Sequence, residues 1–417
     1  MTTGTSGSAG INLTDLNFWA SPLSERHEVF RTLRERSRPA FFQEPDIEVL
    51  PQGPGYYALV SHADVVEASR RPQDFCSGGG AINILDLPAD LNEYFGSMIN
   101  MDDPRHAKIR RIVSRAFSPR MVQRFEDQVQ LVAEQVVEEI VTGGTGDFVA
   151  DVAARVPLKI ICDMMGIPGG SYQTVFDNSN VILAGSDPEF LAEDAGQAIT
   201  QLLQAGENLK NLVEDLGRRR REHPSDDLVS ALVNANIDGE SLTDQELGSF
   251  FILLVVAGNE TTRNAIAHGL ELFTTNPRQR DLLRGDFERH IPGAIEEIVR
   301  YASPVIWMRR TVTRDTELGG NAFAAGDKLL LYYWSANRDE TVFTDPEVFD
   351  ITRDPNPHIG FGGPGPHFCL GAHLARREIG VMFRELFRRV PDIRSSAPPE
   401  RLLSSFINGV KHLPYEI

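Results

Sequence analysis

The sequence contains little cysteine and little basic charge. Three cysteines among 417 residues cannot form a disulfide framework, which excludes a small disulfide-stabilised secreted domain and favours a reducing, cytoplasmic environment. The 59 acidic residues outnumber the 41 basic ones, so the formal net charge is −18. Such an acidic chain is not expected to bind nucleic acid as its main partner.

Long apolar segments are also lacking. The most apolar run, residues 250–258, is about half as long as a membrane-spanning helix, so we expect no membrane anchor. Residues 1–10 have neither the charged start nor the apolar core of a signal peptide. We therefore expect a disordered tail over residues 1–12 and one folded domain over residues 13–417.

Helical patterns dominate the remainder of the chain. Asp103 and Pro104 are typical of a helix start, and helical periodicity continues to about residue 235. Thr243 and Glu246 form a capping box that opens a buried helix predicted to end near Thr275. Three short segments have strand patterns: residues 56–60, 309–313 and 328–333. The predicted fold class is mainly α with a small β portion.

A glycine-rich loop precedes Cys369, and a helical pattern follows it. A helix N-terminus and its free backbone N–H groups lower the pKa of a thiol and favour the thiolate. Glycines let the backbone approach a flat group closely, and a thiolate beside a planar face suits a haem iron. The residues alone leave a second interpretation open, which is a buried structural cysteine beside a tight turn.

The spacing around this cysteine resembles the haem-binding signature of cytochrome P450 monooxygenases. Three residues match that signature: Gly365 four positions before the cysteine, His367 two before and Gly371 two after. The family places an aromatic residue seven positions before the cysteine, where this chain has Gly362, and Phe361 comes one position earlier. The resemblance implies that Cys369 ligates the iron of haem b (iron protoporphyrin IX) and that Phe361 and Gly371 contact the cofactor.

Glu297 and Arg300 resemble the E-x-x-R motif of the same family. They are three residues apart and so share one helical face. The resemblance implies a structural triad with Arg353 that fixes the loop carrying Cys369. Taken alone, the pair would be interpreted as an exposed ion pair of little energy.

Residues 257–262, Ala-Gly-Asn-Glu-Thr-Thr, resemble the oxygen-activation motif of the family. The resemblance implies that Ala257 borders the cofactor, that Thr261 presents a hydroxyl to dioxygen and that Glu260 relays protons from solvent. The alternative is a polar kink in which Thr261 bonds to the preceding turn. Burying an acid and a hydroxyl in an apolar helix costs free energy, which favours the functional interpretation.

Two further sets of residues occupy family-like positions. Four basic residues match the groups that neutralise the haem propionates: His106, Arg110, Arg310 and His367. Nine apolar residues lie where the family places the substrate pocket: Ile82, Ile84, Ile99, Leu253, Val256, Ala257, Ile306, Met308 and Phe406. For the first set a solvated basic residue, and for the second plain core packing, is the alternative at each position.

The resemblance covers nearly the whole chain and is greatest to actinobacterial (mycobacterial) enzymes that hydroxylate methyl-branched lipids and sterol side chains. It implies a single-domain cytochrome P450 fold over residues 13–417, with a long central helix over the haem. The implied reaction uses O2 to hydroxylate the terminal (ω) carbon of a methyl-branched lipid, fatty acid or isoprenoid. The alternatives are a sterol side-chain hydroxylase, a peroxide-driven haem enzyme and a non-catalytic haem–lipid binding protein.

Electrons must come from another protein, because the sequence contains no recognisable flavin or iron–sulfur module. The resemblance implies a ferredoxin that is reduced through an NAD(P)H reductase. Seven basic residues lie in two helices that the family packs on the thiolate side of the haem: Arg105, Lys108, Arg110, Arg111, Arg115, Arg376 and Arg377. We expect an acidic ferredoxin to dock there by charge complementarity; a solvated basic face is the alternative.

Overall fold

The computed structural model describes residues 11–46, 51–116, 119–183, 187–192, 194–236, 239 and 241–417. Residues 1–10 of the predicted tail lie outside these ranges. The described chain is mainly helical, as predicted. Its helices are α1 (Leu16–Ala20), α2 (Leu23–Arg34), α3 (His62–Arg70), α4 (Ala89–Gly96), α5 (Arg105–Ala116), α6 (Pro119–Gly143), α7 (Arg155–Met165), α8 (Tyr172–Leu183), α9 (Ala195–Glu222), α10 (Leu228–Val233), α11 (Asp244–Thr275), α12 (Pro277–Gly285), α13 (Phe287–Ala302), α14 (Tyr333–Ala336) and α15 (Ala372–Arg389).

The β portion is small and consists of short strands. They are β1 (Ala40–Phe42), β2 (Tyr56–Leu59), β3 (Phe75–Cys76), β4 (Thr145–Asp147), β5 (Met308–Val312), β6 (Thr316–Leu318), β7 (Asn321–Phe323), β8 (Lys328–Leu331), β9 (Arg394–Ser395), β10 (Glu400–Arg401), β11 (Val410–His412) and β12 (Pro414–Glu416). The largest sheet has the order β1-β2-β8-β5-β3, with β2 and β8 parallel and the other neighbours antiparallel. This sheet pairs Cys76 with Thr311 and Arg310 with Leu329.

The central helix α11 begins and ends where the sequence predicts. The Thr243 hydroxyl accepts the Glu246 N–H at 3.1 Å, and the Glu246 carboxylate accepts the Thr243 N–H at 2.9 Å. The helix then continues to Thr275, a length of roughly 48 Å. Helices α7, α9, α13 and α15 pack around it. The predicted start of α5 is also close, because this helix begins at Arg105.

Two apolar clusters meet along α11. Its first half, including Phe251 and Leu253, packs with α7, α9 and α10. Its second half, including Ile266 and Phe273, packs with α6, α13 and α15. The motif at residues 257–262 therefore lies at the junction of the two clusters, where burial of polar groups is costly unless they have a function or a partner.

The strand predicted over residues 328–333 is shorter in the structure. β8 ends at Leu331, which pairs with Leu59, the last residue of β2. Beyond that pair no neighbouring strand is present in the described sheet, and Tyr332 instead joins Phe30 in an aromatic cluster, with ring centroids 5.2 Å apart. Tyr333 then starts the short helix α14. No helix within the described ranges is long and apolar enough to cross a membrane.

Candidate haem site

The loop before Cys369 is held in a tight conformation by its own backbone. The Cys369 N–H donates to the Phe361 carbonyl at 3.0 Å. Gly365 has a φ of +153°, and a Cβ there would lie 2.3 Å from the Ser69 carbonyl oxygen at the end of α3. Only glycine is compatible with this approach. The loop therefore presents Cys369 just before α15.

The Cys369 thiol does not have the lowered pKa that the sequence predicts. Burial raises its pKa, and the backbone N–H of Gly371 and the charges of Arg110 and Arg376 lower it by less. The helix N-terminus thus acts in the predicted direction, but desolvation outweighs it. The side chain nevertheless keeps an accessible surface, and a thiol that coordinates a metal is deprotonated by the metal itself.

The Phe361 ring packs against the Arg376 guanidinium of α15. The Arg376 guanidinium lies 4.3 Å from the centre of the Phe361 ring, and it donates to Glu296 at 2.6 Å and 2.9 Å. His358 also contacts Glu296, at 2.8 Å. Arg376 was predicted to form part of a docking face, whereas its charge is largely neutralised within the protein.

The four predicted propionate-binding residues lie close together. The rings of His106 and His367 are 4.2 Å apart, and Arg110 donates to the Phe368 carbonyl at 2.8 Å. Burial, followed by the charges of Arg310, His106 and Arg110, lowers the pKa of His367 to about 2.

This basic cluster is short of negative charge. Asp103, which is exposed, lies 3.4 Å from His106 Nδ1, but the buried His106 Nε2 has no hydrogen-bond partner among the residues that the structure describes. Within the described chain, no ion pair joins Arg110 or Arg310 to a carboxylate. A group with two carboxylates would supply the missing charge, and the two propionates of haem fit this requirement.

Between residues 246 and 274 of α11, one residue is exposed. Ala257 is exposed, although its neighbours on the helix are largely buried. One turn later the Thr261 hydroxyl donates to the Ala257 carbonyl at 2.7 Å, which is the alternative geometry that the sequence left open. Because the hydroxyl hydrogen is engaged there, the oxygen remains available as an acceptor toward this accessible surface.

Glu260, the predicted proton relay, is buried and paired. Its carboxylate accepts from Arg263 and, at 3.0 Å, from Asn264. Arg263 also donates to Asn180 of α8 at 2.8 Å. Among the described residues, Glu260 Oε2 has no hydrogen-bond partner. A proton route through Glu260 would therefore have to pass by the Arg263 side chain, which connects it toward α8.

Two buried polar residues near this motif were not singled out from the sequence. Asn259 is fully buried, and neither polar atom of its side chain has a partner in the described structure. Burial raises the pKa of Glu378 to about 8, and a hydrogen bond from Thr262 opposes the shift. Asn259 could have been identified from its position inside the motif. Glu378 could have been identified as a carboxylate on the buried side of α15.

The E-x-x-R triad forms as the family resemblance implies. Glu297 is fully buried and accepts from Arg300 in a bidentate pair, both distances being 2.7 Å. Arg353 contacts the same carboxylate at 3.2 Å. Arg300 further donates to the carbonyls of Asn337, Pro346 and Val348. The triad therefore fixes the irregular segment that precedes the Cys369 loop.

The predicted pocket residues divide among three apolar clusters. Ile84, Ile306 and Phe406 belong to one cluster, and the Ile306 N–H donates to the Phe406 carbonyl at 2.8 Å. Three others belong to the cluster of the first half of α11: Ile99, Leu253 and Val256. Met308 packs against a cluster under the sheet, and Ile82 is half-buried in the loop after β3.

At least two of the seven residues of the predicted basic face form ion pairs within the described chain. Arg105 pairs with Glu93 at 2.5 Å, in addition to the pairing of Arg376 described above. Arg115 is exposed on α5, and Arg377 is half-buried on α15. The positive charge left uncompensated at this face is therefore smaller than the seven basic residues of the sequence suggest.

Comparisons with known proteins show which family this chain is similar to. The family model described as Cytochrome P450 matches residues 53–390. A methyl-branched lipid omega-hydroxylase of Mycobacterium tuberculosis (strain CDC 1551 / Oshkosh) is 50% identical over 409 residues, which are 97% of this chain and 94% of that protein. A steroid C26-monooxygenase of Mycolicibacterium smegmatis is 40% identical over 364 residues, 86% of this chain and 82% of that protein. The solved structure of a Mycobacterium marinum cytochrome P450 in complex with pseudoionone is 40% identical, has a TM-score of 0.92 and covers 100% of both chains.

Proposed function

The chain belongs to the cytochrome P450 family and is a monooxygenase, and from this premise we propose that it hydroxylates the terminal carbon of a methyl-branched lipid. The predicted family, fold and reaction class are confirmed. Haem iron and O2 are accordingly its cofactor and co-substrate. We further propose that residues 13–417 form one haem domain and that the protein acts in the cytoplasm.

One observation carries the substrate proposal. Ala257, an accessible residue of α11, lies one turn after Leu253 of the apolar cluster that packs on the first half of this helix, and the residues that we assign to the pocket carry no charge. An apolar chain entering there would be bound through burial, at about 25 cal/mol for each Å² of apolar surface. The name of the relative that is 50% identical supports a methyl-branched lipid in particular.

The residues of the site fit haem, and we assign their roles accordingly. Cys369 would ligate the iron, and the basic cluster of His106, Arg110, Arg310 and His367 would hold the two propionates. Gly371 and Phe361 would lie beside the ring. When bound, haem supplies the thiolate-ligated iron at which dioxygen is activated with two external electrons.

Side chains of this protein would deliver the protons that the reaction needs. We assign to the Thr261 hydroxyl the role of accepting and passing on a proton at the accessible surface near Ala257. Glu260 would take up protons after its carboxylate separates from Arg263, with Oε2 as the free acceptor. Glu260 is buried, and positioned donors and acceptors act most strongly away from bulk water.

A ferredoxin reduced by an NAD(P)H reductase is the proposed electron donor. Arg115 is an exposed cation on α5, and Arg110 of the same helix contacts the Phe368 carbonyl next to Cys369 at 2.8 Å. An acidic partner at this face would be close to the thiolate side of the site. Because such docking depends on charge, we expect the rate of electron transfer to fall as salt is raised.

A sterol side chain is the second candidate substrate. The 40% identity to a protein named steroid C26-monooxygenase favours it, since that name also denotes oxidation by a monooxygenase at one defined carbon. The same apolar pocket would have to accept a broad ring system. Titration of the holoenzyme with each lipid class separates the two proposals.

The test uses the absorption spectrum of the purified holoenzyme. A methyl-branched fatty acid is expected to shift the haem from low to high spin as water leaves the iron, at lower concentration than an unbranched acid of equal length. A sterol that gives the stronger shift would favour the second candidate. No shift with any lipid would contradict the proposed function.

A further inference from the structure

A loop at residues 77–88 connects β3 to α4. Backbone hydrogen bonds hold the first half of this loop against the protein. The N–H groups of Ser77 and Gly78 both donate to Asp102 at 2.8 Å. Ala81 donates to Asn100 at 2.8 Å and accepts from the Arg309 N–H at 2.7 Å. These bonds hold the loop as far as Ala81.

The second half of the loop is held by charge. Asp86 accepts from Arg309 at 2.7 Å and lies 2.9 Å from Lys328 Nζ. The same two cations donate to the Ile84 carbonyl, each at 3.2 Å. Arg309 and Lys328 lie on adjacent strands, β5 and β8, so the sheet places both cations under the loop.

The charges of this group balance only when Asp86 is in place. Arg309 and Lys328 are 2% and 3% exposed, and the buried Glu44 carboxylate pairs with Lys328 at 2.7 Å. Two buried cations thus face one buried carboxylate. Asp86, whose side chain is 60% exposed, supplies the second negative charge, and its departure would leave a buried cation without compensation.

The loop carries two residues of the proposed pocket. Ile84 is buried in the cluster that contains Ile306 and Phe406, and Ile82 is half-buried two positions earlier. Because the Ile84 carbonyl is bound by the cations that bind Asp86, the loop cannot lift away from the pocket without breaking both sets of contacts.

We propose that Asp86 is a positioning residue whose ion pairs with Arg309 and Lys328 keep residues 77–88 closed over the lipid pocket and thereby control access to the haem. This inference rests on the proposed function for the placement of the pocket. The half-exposed ion pair is strong enough to hold the loop and weak enough to break during substrate entry, because its outer side is solvated.

The test is Asp86→Asn in the holoenzyme, with Asp90→Asn as the matched control. Asp90 is an exposed acid on α4, and within the described chain no ion pair involves it. Binding of phenylimidazole, whose nitrogen ligates the iron, is followed by stopped-flow absorbance. We expect Asp86→Asn to raise both the association and the dissociation rate about tenfold, the effect of one charge-assisted hydrogen bond. Asp90→Asn should change neither rate.

Salt distinguishes a gate from a merely structural contact. In the unmodified enzyme both rates should rise with ionic strength, because the exposed pair is screened, and in Asp86→Asn this dependence should disappear. Asp86→Glu should restore part of it. In turnover of a methyl-branched acid, Asp86→Asn should change kcat and KM little, because the two rates rise together.

Equal phenylimidazole rates in Asp86→Asn and Asp90→Asn would overturn the inference, as would salt-independent rates in the unmodified enzyme. Phenylimidazole does not depend on the identity of the substrate. If its rates respond as expected and no branched lipid binds, the role of Asp86 is supported and the proposed function is contradicted.

Discussion

Replacing Glu297 by glutamine should destabilise the protein, because the substitution removes a single buried charge. The carboxylate is fully buried and binds Arg300 through two contacts of 2.7 Å and Arg353 through contacts of 3.2 Å and 3.3 Å. It also accepts the Asp350 N–H at 2.9 Å. Glutamine keeps one acceptor atom, removes the charge and turns an amide donor toward a guanidinium.

The size of the stability loss depends on the contacts that Arg300 keeps after the substitution. Breaking a buried ion pair from one side costs about 3–5 kcal/mol, and Arg300 keeps its three backbone carbonyl acceptors. We therefore expect a loss near the lower limit, about 3 kcal/mol in the free energy of unfolding. At about 2.1 cal/mol/K per residue over 417 residues, this corresponds to a drop in Tm of about 3–4 °C.

The assay is thermal unfolding of the holoenzyme, with scans of Glu297→Gln and a matched control at one heating rate. The control is Glu288→Gln on the same helix, whose side chain is 76% exposed and pairs with Arg384 at 2.9 Å. That exposed pair should contribute less than about 1 kcal/mol. Equal Tm values for the two variants would refute the reasoning that the triad is a buried structural element.

Three more outcomes are expected. Thr261→Ala should leave NAD(P)H consumption largely intact while hydrogen peroxide is released and hydroxylated product falls at least about tenfold; Thr261→Ser is the control, and unchanged coupling would contradict the proton-delivery role. Arg110→Gln removes one cation of the propionate cluster and should speed loss of haem to a scavenging apoprotein about tenfold; an unchanged rate would count against the assignment. Burial raises the pKa of Glu296, but hydrogen bonds from Arg376 and His358 lower it to about 2, below its ordinary 4.5. Its contribution to stability is thus complete above pH 4.5 and lost as pH falls toward 2. Glu296→Gln should cost about 2 kcal/mol at pH 7 and flatten the acid unfolding curve, and coincident curves would disprove this.

The features that could be predicted from the sequence depend on neighbouring residues. Thr243 and Glu246 are three positions apart and determine the start of α11 by their own hydrogen bonds. The Cys369 loop is likewise local, because its glycines and the first turn of α15 lie within a few positions. Signals of this kind are present in the sequence before any tertiary contact forms.

The features that could not be predicted depend on contacts between distant segments. Asp86 meets Arg309 across 223 positions, and Glu44 meets Lys328 across 284. No local pattern indicates which acid will compensate which cation. For the same reason Arg376 was assigned to a docking face, although Glu296 neutralises it from α13.

Burial also explains the one expectation about a pKa that failed at the site and the surroundings of Glu260. The sequence places Cys369 before a helix, which lowers a thiol pKa, but only the folded protein reveals the larger opposing effect of desolvation. The relay role of Glu260 stays a prediction, and the packing of α11 against α8 buries this residue beside Arg263. In both cases the surroundings of the residue depend on tertiary packing.

The most direct test of the central claim is turnover of a methyl-branched fatty acid by the holoenzyme with ferredoxin, reductase and NAD(P)H under isotopically labelled dioxygen. Mass spectrometry of the product should locate one hydroxyl on the terminal carbon, and its oxygen should carry the label. Unlabelled product, or hydroxylation only at internal carbons, would contradict the account, as would tight binding of the lipid without any product.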